Sequence, residues 1–140
     1  MAIKIPQLLV DELTKRTVLT PDLVAKIAAE AEQNEKDFGQ ALVEQGLISD
    51  VDLLTVKAEV YKLPTVAATS IEIDHELSEK VSDATVNFYK ILPFAKENGK
   101  LKVVLLNPEN IDALQALKFI ASEQNLALDK YLITYQDFTI

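Results

Sequence analysis

The chain has 140 residues, 49% of them hydrophobic, with no cysteine and a formal charge of −8 from 22 acidic against 14 basic side chains. That length holds one ordinary domain or two small subdomains sharing an interface. The missing cysteines exclude disulfides, thiolate nucleophiles and cysteine metal sites, and the acidic balance disfavours nonspecific attachment to nucleic acid or anionic lipid.

The first half reads as helical. Leu8, Leu9, Glu12 and Leu13 suggest a short opening helix with an apolar stripe at three- and four-residue spacing. Thr20-Pro21-Asp22 then combines a capping hydroxyl, a proline suited to a first turn and an acid facing the positive helix end, so a second helix runs to about Glu32. A third follows Asn34 as its cap, with Asp37 at the third helical position, and presents Phe38, Leu42 and Val43 to a core. Gly46 is placed to end it in a left-handed conformation. Ser49 caps a fourth helix with Asp52 as its acidic partner; Leu53, Val56, Val60 and Tyr61 supply its apolar face, and Pro64 stops it.

The character changes near residue 64. An extended piece at Thr65 to Ala67 precedes Ile71-Glu72-Ile73-Asp74, a brief helix from Glu76 to Val81, and further turns capped by Ser82-Asp83 through Asn87. Ile91-Leu92-Pro93-Phe94 and Leu101 to Leu106 read as strands joined by a polar turn, in which Asn98-Gly99 is a strong hairpin signal. Asn107-Pro108-Glu109-Asn110 introduces a helix with Ile111, Leu114, Leu117, Ile120 and Ala121 at helical spacing and Phe119 beside them. A last strand spans Leu128 to Thr134, and Gln136 to Ile140 resembles the beginning of another helix, as in a piece of a longer protein. The expected fold class is therefore α+β: an amino-terminal helical subdomain, residues 1–63, then a small α/β subdomain, residues 64–140, whose short sheet is packed by helices.

The helical half carries a blurred repeat. A shift of 29 residues puts Leu13 on Leu42, Leu19 on Ile48, Thr20 on Ser49, Val24 on Leu53, Ala29 on Ala58 and Glu30 on Glu59. A repeat of this kind suits a docking or sensing module better than a catalytic pocket. Gly39 sits inside its helix, where glycine costs about 1 kcal/mol relative to alanine, so either a neighbouring helix or a ligand or partner backbone is expected close by.

Chemistry is sparse. No GxxxxGK[ST] phosphate loop occurs, and glycines at 39, 46 and 99 cannot supply a dinucleotide fingerprint. His75, the only histidine, lies between Asp74 and Glu76 and reads as a surface or capping residue; it is the sole feature suggesting a hydrolase. Asp50 and Asp52 read as helix-start charges, and Tyr61, Tyr89 and Tyr131 as packing residues. Lys96, Lys100 and Lys102 form a small basic cluster around the hairpin. No catalytic residue, metal site or cofactor is expected, nor any apolar run approaching the roughly 18 residues of a membrane helix.

The stretch Phe38-Gly39-x-x-Leu42-Val43-x-x-Gly46-x-Ile48-Ser49-x-x-x-Leu53, followed by a helix ending at Leu63-Pro64, resembles the amino-terminal domain of type II secretion and type IV pilus assembly ATPases. Ile73-Asp74-x-Glu76-Leu77, Tyr89-Lys90-Ile91-Leu92-Pro93 and Leu101-x-Val103-x-x-x-Asn107-Pro108-x-Asn110-x-x-Ala113-Leu114 extend the resemblance over nearly the whole chain. The resemblance implies a noncatalytic domain ahead of an ATP-hydrolysing motor. Such a domain docks on the cytoplasmic part of an inner-membrane platform protein, which places it in the cytoplasm and at the membrane only through that partner.

Some members of this family bind cyclic diguanylate through two such helical motifs, each beginning with arginine, an apolar residue and glycine. Here those positions hold Asp37-Phe38-Gly39 and Leu8-Leu9-Val10, and Val60 stands where the family has glutamine. Loss of the arginine removes the group best suited to paired phosphate contacts, and Asp37 carries the wrong charge for a dianion. The residues expected to dock a partner or ligand are Asp37, Phe38, Gly39, Leu42, Val43, Gly46 and Ile48. The alternatives to a docking domain are a cyclic-diguanylate sensor and a free-standing adaptor. Neither nucleic acid nor direct membrane insertion is expected.

Overall fold

A computed structural model describes residues 5–72, 76 and 81–138, apart from the Asp83 side chain. These fall into two compact units that divide after Lys62. The expectations for Ile73 to His75, and for most of the brief helix after them, lie outside the described residues.

The first unit is four helices: α1 (Gln7–Lys15), α2 (Pro21–Gln33), α3 (Phe38–Glu44) and α4 (Asp50–Tyr61). Leu9, Leu13, Leu19, Ile27, Phe38, Leu42 and Leu53 are almost wholly withdrawn from water and form its core. Thr20 caps α2 by accepting a hydrogen bond from the Leu23 amide at 3.3 Å, and Ser49 caps α4 from the Asp52 amide at 3.1 Å. The start of α3 differs from the sequence expectation. Asn34 ends α2, donating its side-chain amide to the Glu30 carbonyl at 3.0 Å; Glu35 turns left-handed at φ 54°, and Asp37 is the residue that flanks α3. The chain needs these extra residues to reverse direction, because the α2 carbonyls are satisfied first: the Lys36 amide bonds the Ala31 carbonyl at 2.8 Å.

The second unit begins with an extended segment and a 3₁₀ turn (Ala68–Ser70), then α5 (Asp83–Tyr89), β1 (Ile91–Glu97), β2 (Lys100–Leu105), α6 (Ile111–Glu123), β3 (Ala127–Leu132) and α7 (Tyr135–Phe138). Strand order is β1-β2-β3, with β1 and β2 antiparallel and β2 and β3 parallel. The hairpin turns at Asn98 and Gly99, both at positive φ (53° and 75°), which matches the right-handed twist of the flanking strands. Pro93 lies on the edge strand, where its missing amide costs no ladder bond, and the register slips between Pro93 and Ala95. The parallel pair requires a crossover, and α6 provides it, capped by Asn110, which accepts from the Ala113 amide at 3.2 Å. Ala113, Leu117 and Ala121 of α6 pack on Leu101, Val103, Leu105 and Ile91 of the sheet. Ile111, expected on that apolar face, and Phe119, expected beside it, are more than half exposed, because the stripe facing the sheet centres on Ala113, Leu117 and Ala121, with Leu114 and Ile120 packed alongside. Residues 64–66 add a short parallel bridge beside β3, Thr65 to Leu132, with the Val66 amide bonded to the Leu132 carbonyl at 2.9 Å.

Candidate docking and ligand site of the helical repeat

The 29-residue shift holds at the level of single hydrogen bonds. The Val18 amide reaches back to the Leu13 carbonyl at 3.0 Å, and the Leu47 amide to the Leu42 carbonyl at 3.2 Å. Thr17 to Thr14 and Gly46 to Val43 repeat the next bond at 3.1 and 3.0 Å. These are the carbonyl-satisfying bonds of a left-handed helix stop, and Thr17 adopts φ 63° where Gly46 adopts φ 73°. Between helices the pattern swaps partners. Arg16 at the end of α1 bonds Glu59 of α4, while Gln45 at the end of α3 bonds Glu30 of α2 at 2.6 Å. Adding 29 to one residue and subtracting it from the other converts the first pair into the second, so the two copies pack with approximate two-fold symmetry.

The expected site residues divide by exposure. Phe38, Gly39 and Leu42 are buried, so they shape the scaffold of α3; Asp37, Val43 and Ile48 are half-buried and Gly46 is exposed. The latter four can be reached from solution. Gly39 is buried within its short helix, and its counterpart Val10 is buried too.

One residue escaped the sequence reading. Lys57 is 3% exposed and is the one buried charged side chain among the described residues. Burial pushes its ammonium down to about 8, against the opposing attraction of Asp37 and then Asp50. The signal was available in the spacing, since Lys57 lies four residues after Leu53 on the inward stripe of α4. Shifted back by 29 residues, Asp37, Asp50 and Lys57 fall on Leu8, Pro21 and Ala28. The second copy therefore carries three charges where the first carries none.

No group of three or more His, Cys, Asp or Glu side chains able to hold a metal occurs among the described residues, and none of their helices is long and apolar enough to cross a membrane. His75 lies outside the described residues. Two of the three lysines of the hairpin are engaged locally: Lys102 pairs with Glu97 at 3.0 Å and lies over the Tyr131 ring, and Lys96 approaches Glu76 at 3.9 Å.

The MshEN domain family model matches residues 61–139, and the chain belongs to this family, whose members form the amino-terminal domains of type II secretion and type IV pilus ATPases. The chain is similar to the type IV pilus assembly ATPase PilB of Myxococcus xanthus (strain DK1622), at 23% identity over 108 residues, or 77% of this chain and 19% of PilB. It thus spans about a fifth of the length of that curated relative. Its fold is shared with the solved structure of MshE with cdg, at a TM-score of 0.68 and 14% identity over 94% of this chain and 93% of that one. It is shared too with the N-terminal domain of XpsE, at a TM-score of 0.69 and 18% identity over 99% of this chain and 94% of that one.

Proposed function

We propose that the chain is a noncatalytic docking and regulatory domain at the amino end of a secretion or type IV pilus assembly ATPase, binding the cytoplasmic part of an inner-membrane platform protein. ATP hydrolysis belongs, on this reading, to a motor elsewhere in the parent protein. The observation that carries it is the Asp37, Asp50 and Lys57 cluster. Where a motif for an anionic dinucleotide needs a cation facing solvent, the second copy has the carboxylate of Asp37, whose charge acts on the buried Lys57. The first copy offers Leu8, and Val60 replaces the amide side chain. Asp37, Val43, Gly46 and Ile48 supply reachable contacts, with Phe38, Gly39 and Leu42 holding them in place. Calorimetry against the cytoplasmic domains of platform proteins from the same cell tests this: saturable binding to one of them is expected, and a folded chain that binds none overturns it.

A second reading, a cyclic-diguanylate sensor, draws on the fold shared with MshE, which was solved with cdg. It competes on one measurement. Titration of the folded chain with cyclic diguanylate gives no heat on the docking reading and a saturating isotherm on the sensor reading.

A further inference from the structure

The two-fold relation within the helical unit creates two equivalent grooves, one between α2 and α3 and one between α1 and α4. They have diverged. In the first, Ala31 and Ala41 have 0% and 1% of their surface exposed, and an ion pair joins Lys36 to Glu44. The positions equivalent to those alanines in the second groove are Val60 and Glu12, and Leu8 at its edge is 56% exposed. The result is an open groove of about 700 Å³, lined by Leu8 and Val60 together with Asp11, Glu12, Glu59 and Lys15. Three of the four charged side chains in that lining are acidic. Arg16, just beyond the end of α1, is already bonded to both Glu12 and Glu59.

We propose that the groove between α1 and α4 binds a short basic amphipathic segment of a protein partner, with an apolar side chain on Leu8 and Val60 and a lysine or arginine facing Asp11 and Glu59. The volume lies within the range of built small-ligand clefts and holds a few side chains, well short of a folded domain. An apolar floor with a charged rim is the usual anatomy of a helix-in-groove contact. With Arg16 counted, three acids face two bases, so the rim keeps one net negative charge, and the overall charge of −8 adds attraction for a basic segment while opposing a second copy of this chain or an anionic ligand. This inference rests on the docking reading and specifies the chemistry of the segment that is captured.

The test uses the whole chain, isotopically labelled for amide spectra and titrated with a synthetic lysine-leucine amphipathic peptide and with a glutamate-leucine peptide of the same pattern. Saturable shifts are expected at Leu8, Asp11, Glu59 and Val60 with the first peptide, weakening at high salt, and none with the second. Leu8→Glu and, separately, Glu59→Lys should each weaken binding roughly tenfold or more. Both side chains are more than half exposed, and because Glu59→Lys also loses the bond to Arg16, the amide spectrum of each variant checks that its fold is kept. Shifts confined to other faces, equal binding of the two peptides, or undiminished binding by both variants overturns the proposal. A platform domain that binds wild type and Leu8→Glu alike sinks the groove while leaving the docking reading intact. If the lysine-leucine peptide maps to the groove but no platform domain binds, it is the docking reading that fails.

Discussion

Thr17 and Gly46 occupy equivalent places at the ends of α1 and α3, and both are left-handed, at φ 63° and 73°. Only the glycine adopts that conformation without a steric cost from Cβ. The stop geometry of the first copy is therefore imposed by its amides bonding back to Thr14 and Leu13, in spite of the side chain.

Exchanging the two residue types should show this. Thr17→Gly is expected to raise stability by about 0.5–1 kcal/mol, and Gly46→Ala to lower it by about 1 kcal/mol. A methyl at position 46 meets nothing within 4 Å, so the loss reports backbone strain alone. Urea unfolding midpoints with unchanged slopes would establish both values.

Lys57 gives a pH dependence of defined sign. The folded chain releases this proton near pH 8 and the unfolded chain near 10.5, so between those values the unfolded state holds more protons and stability rises with pH. Below that window both states are protonated and the slope vanishes. Lys57→Met should unfold later than wild type at pH 7, by about 1 kcal/mol, and lose that advantage as pH rises to about 9.5. Denaturant titrations of both proteins at several pH values measure the difference directly. An advantage that stays constant with pH would remove Lys57 as the titrating group.

Asp37 and Lys57 should also prove energetically coupled. Asp37→Arg places a second cation beside a buried one and is expected to cost about 2–3 kcal/mol, most of it recovered on adding Lys57→Leu. A double-mutant cycle measures the coupling, expected to exceed about 1 kcal/mol.

At the hairpin, Gly99 adopts φ 75° with open space around it. Gly99→Ala is expected to cost about 1 kcal/mol and to leave the register of β1 and β2 unchanged, since Asn98 remains to hold the other left-handed position. Thermal melts and amide exchange across Leu92 and Val104 provide the check.

Much of this architecture was legible because it depends on local chemistry. Thr20, Ser49 and Ser82 cap the helices expected of them, and Asn98-Gly99 makes the turn its side chains favour. What escaped depends on tertiary surroundings. Threonine carries no signal for a left-handed stop, so the closeness of the two copies stayed hidden at Thr17. A lysine in a helix reads as surface, and only the packing of α4 against its neighbours makes Lys57 an interior residue. The start of α3 moved from Asn34 to Asp37 because closure of α2 uses the intervening residues. For the candidate site, spacing singled out the right helix but could not separate Phe38 and Leu42, which are buried, from Val43 and Ile48, which a partner can reach.

The three pairings of the second unit differ in the chain each must close. The hairpin of β1 and β2 closes over two turn residues, whereas β3 pairs with β2 across the whole α6 crossover. Thr65 bridges to Leu132 of β3, far away in sequence, so that contact closes the longest loop of the three. The second unit is thus sealed by its own first residues, and a growing chain reaches that closure only once Leu132 has been synthesised.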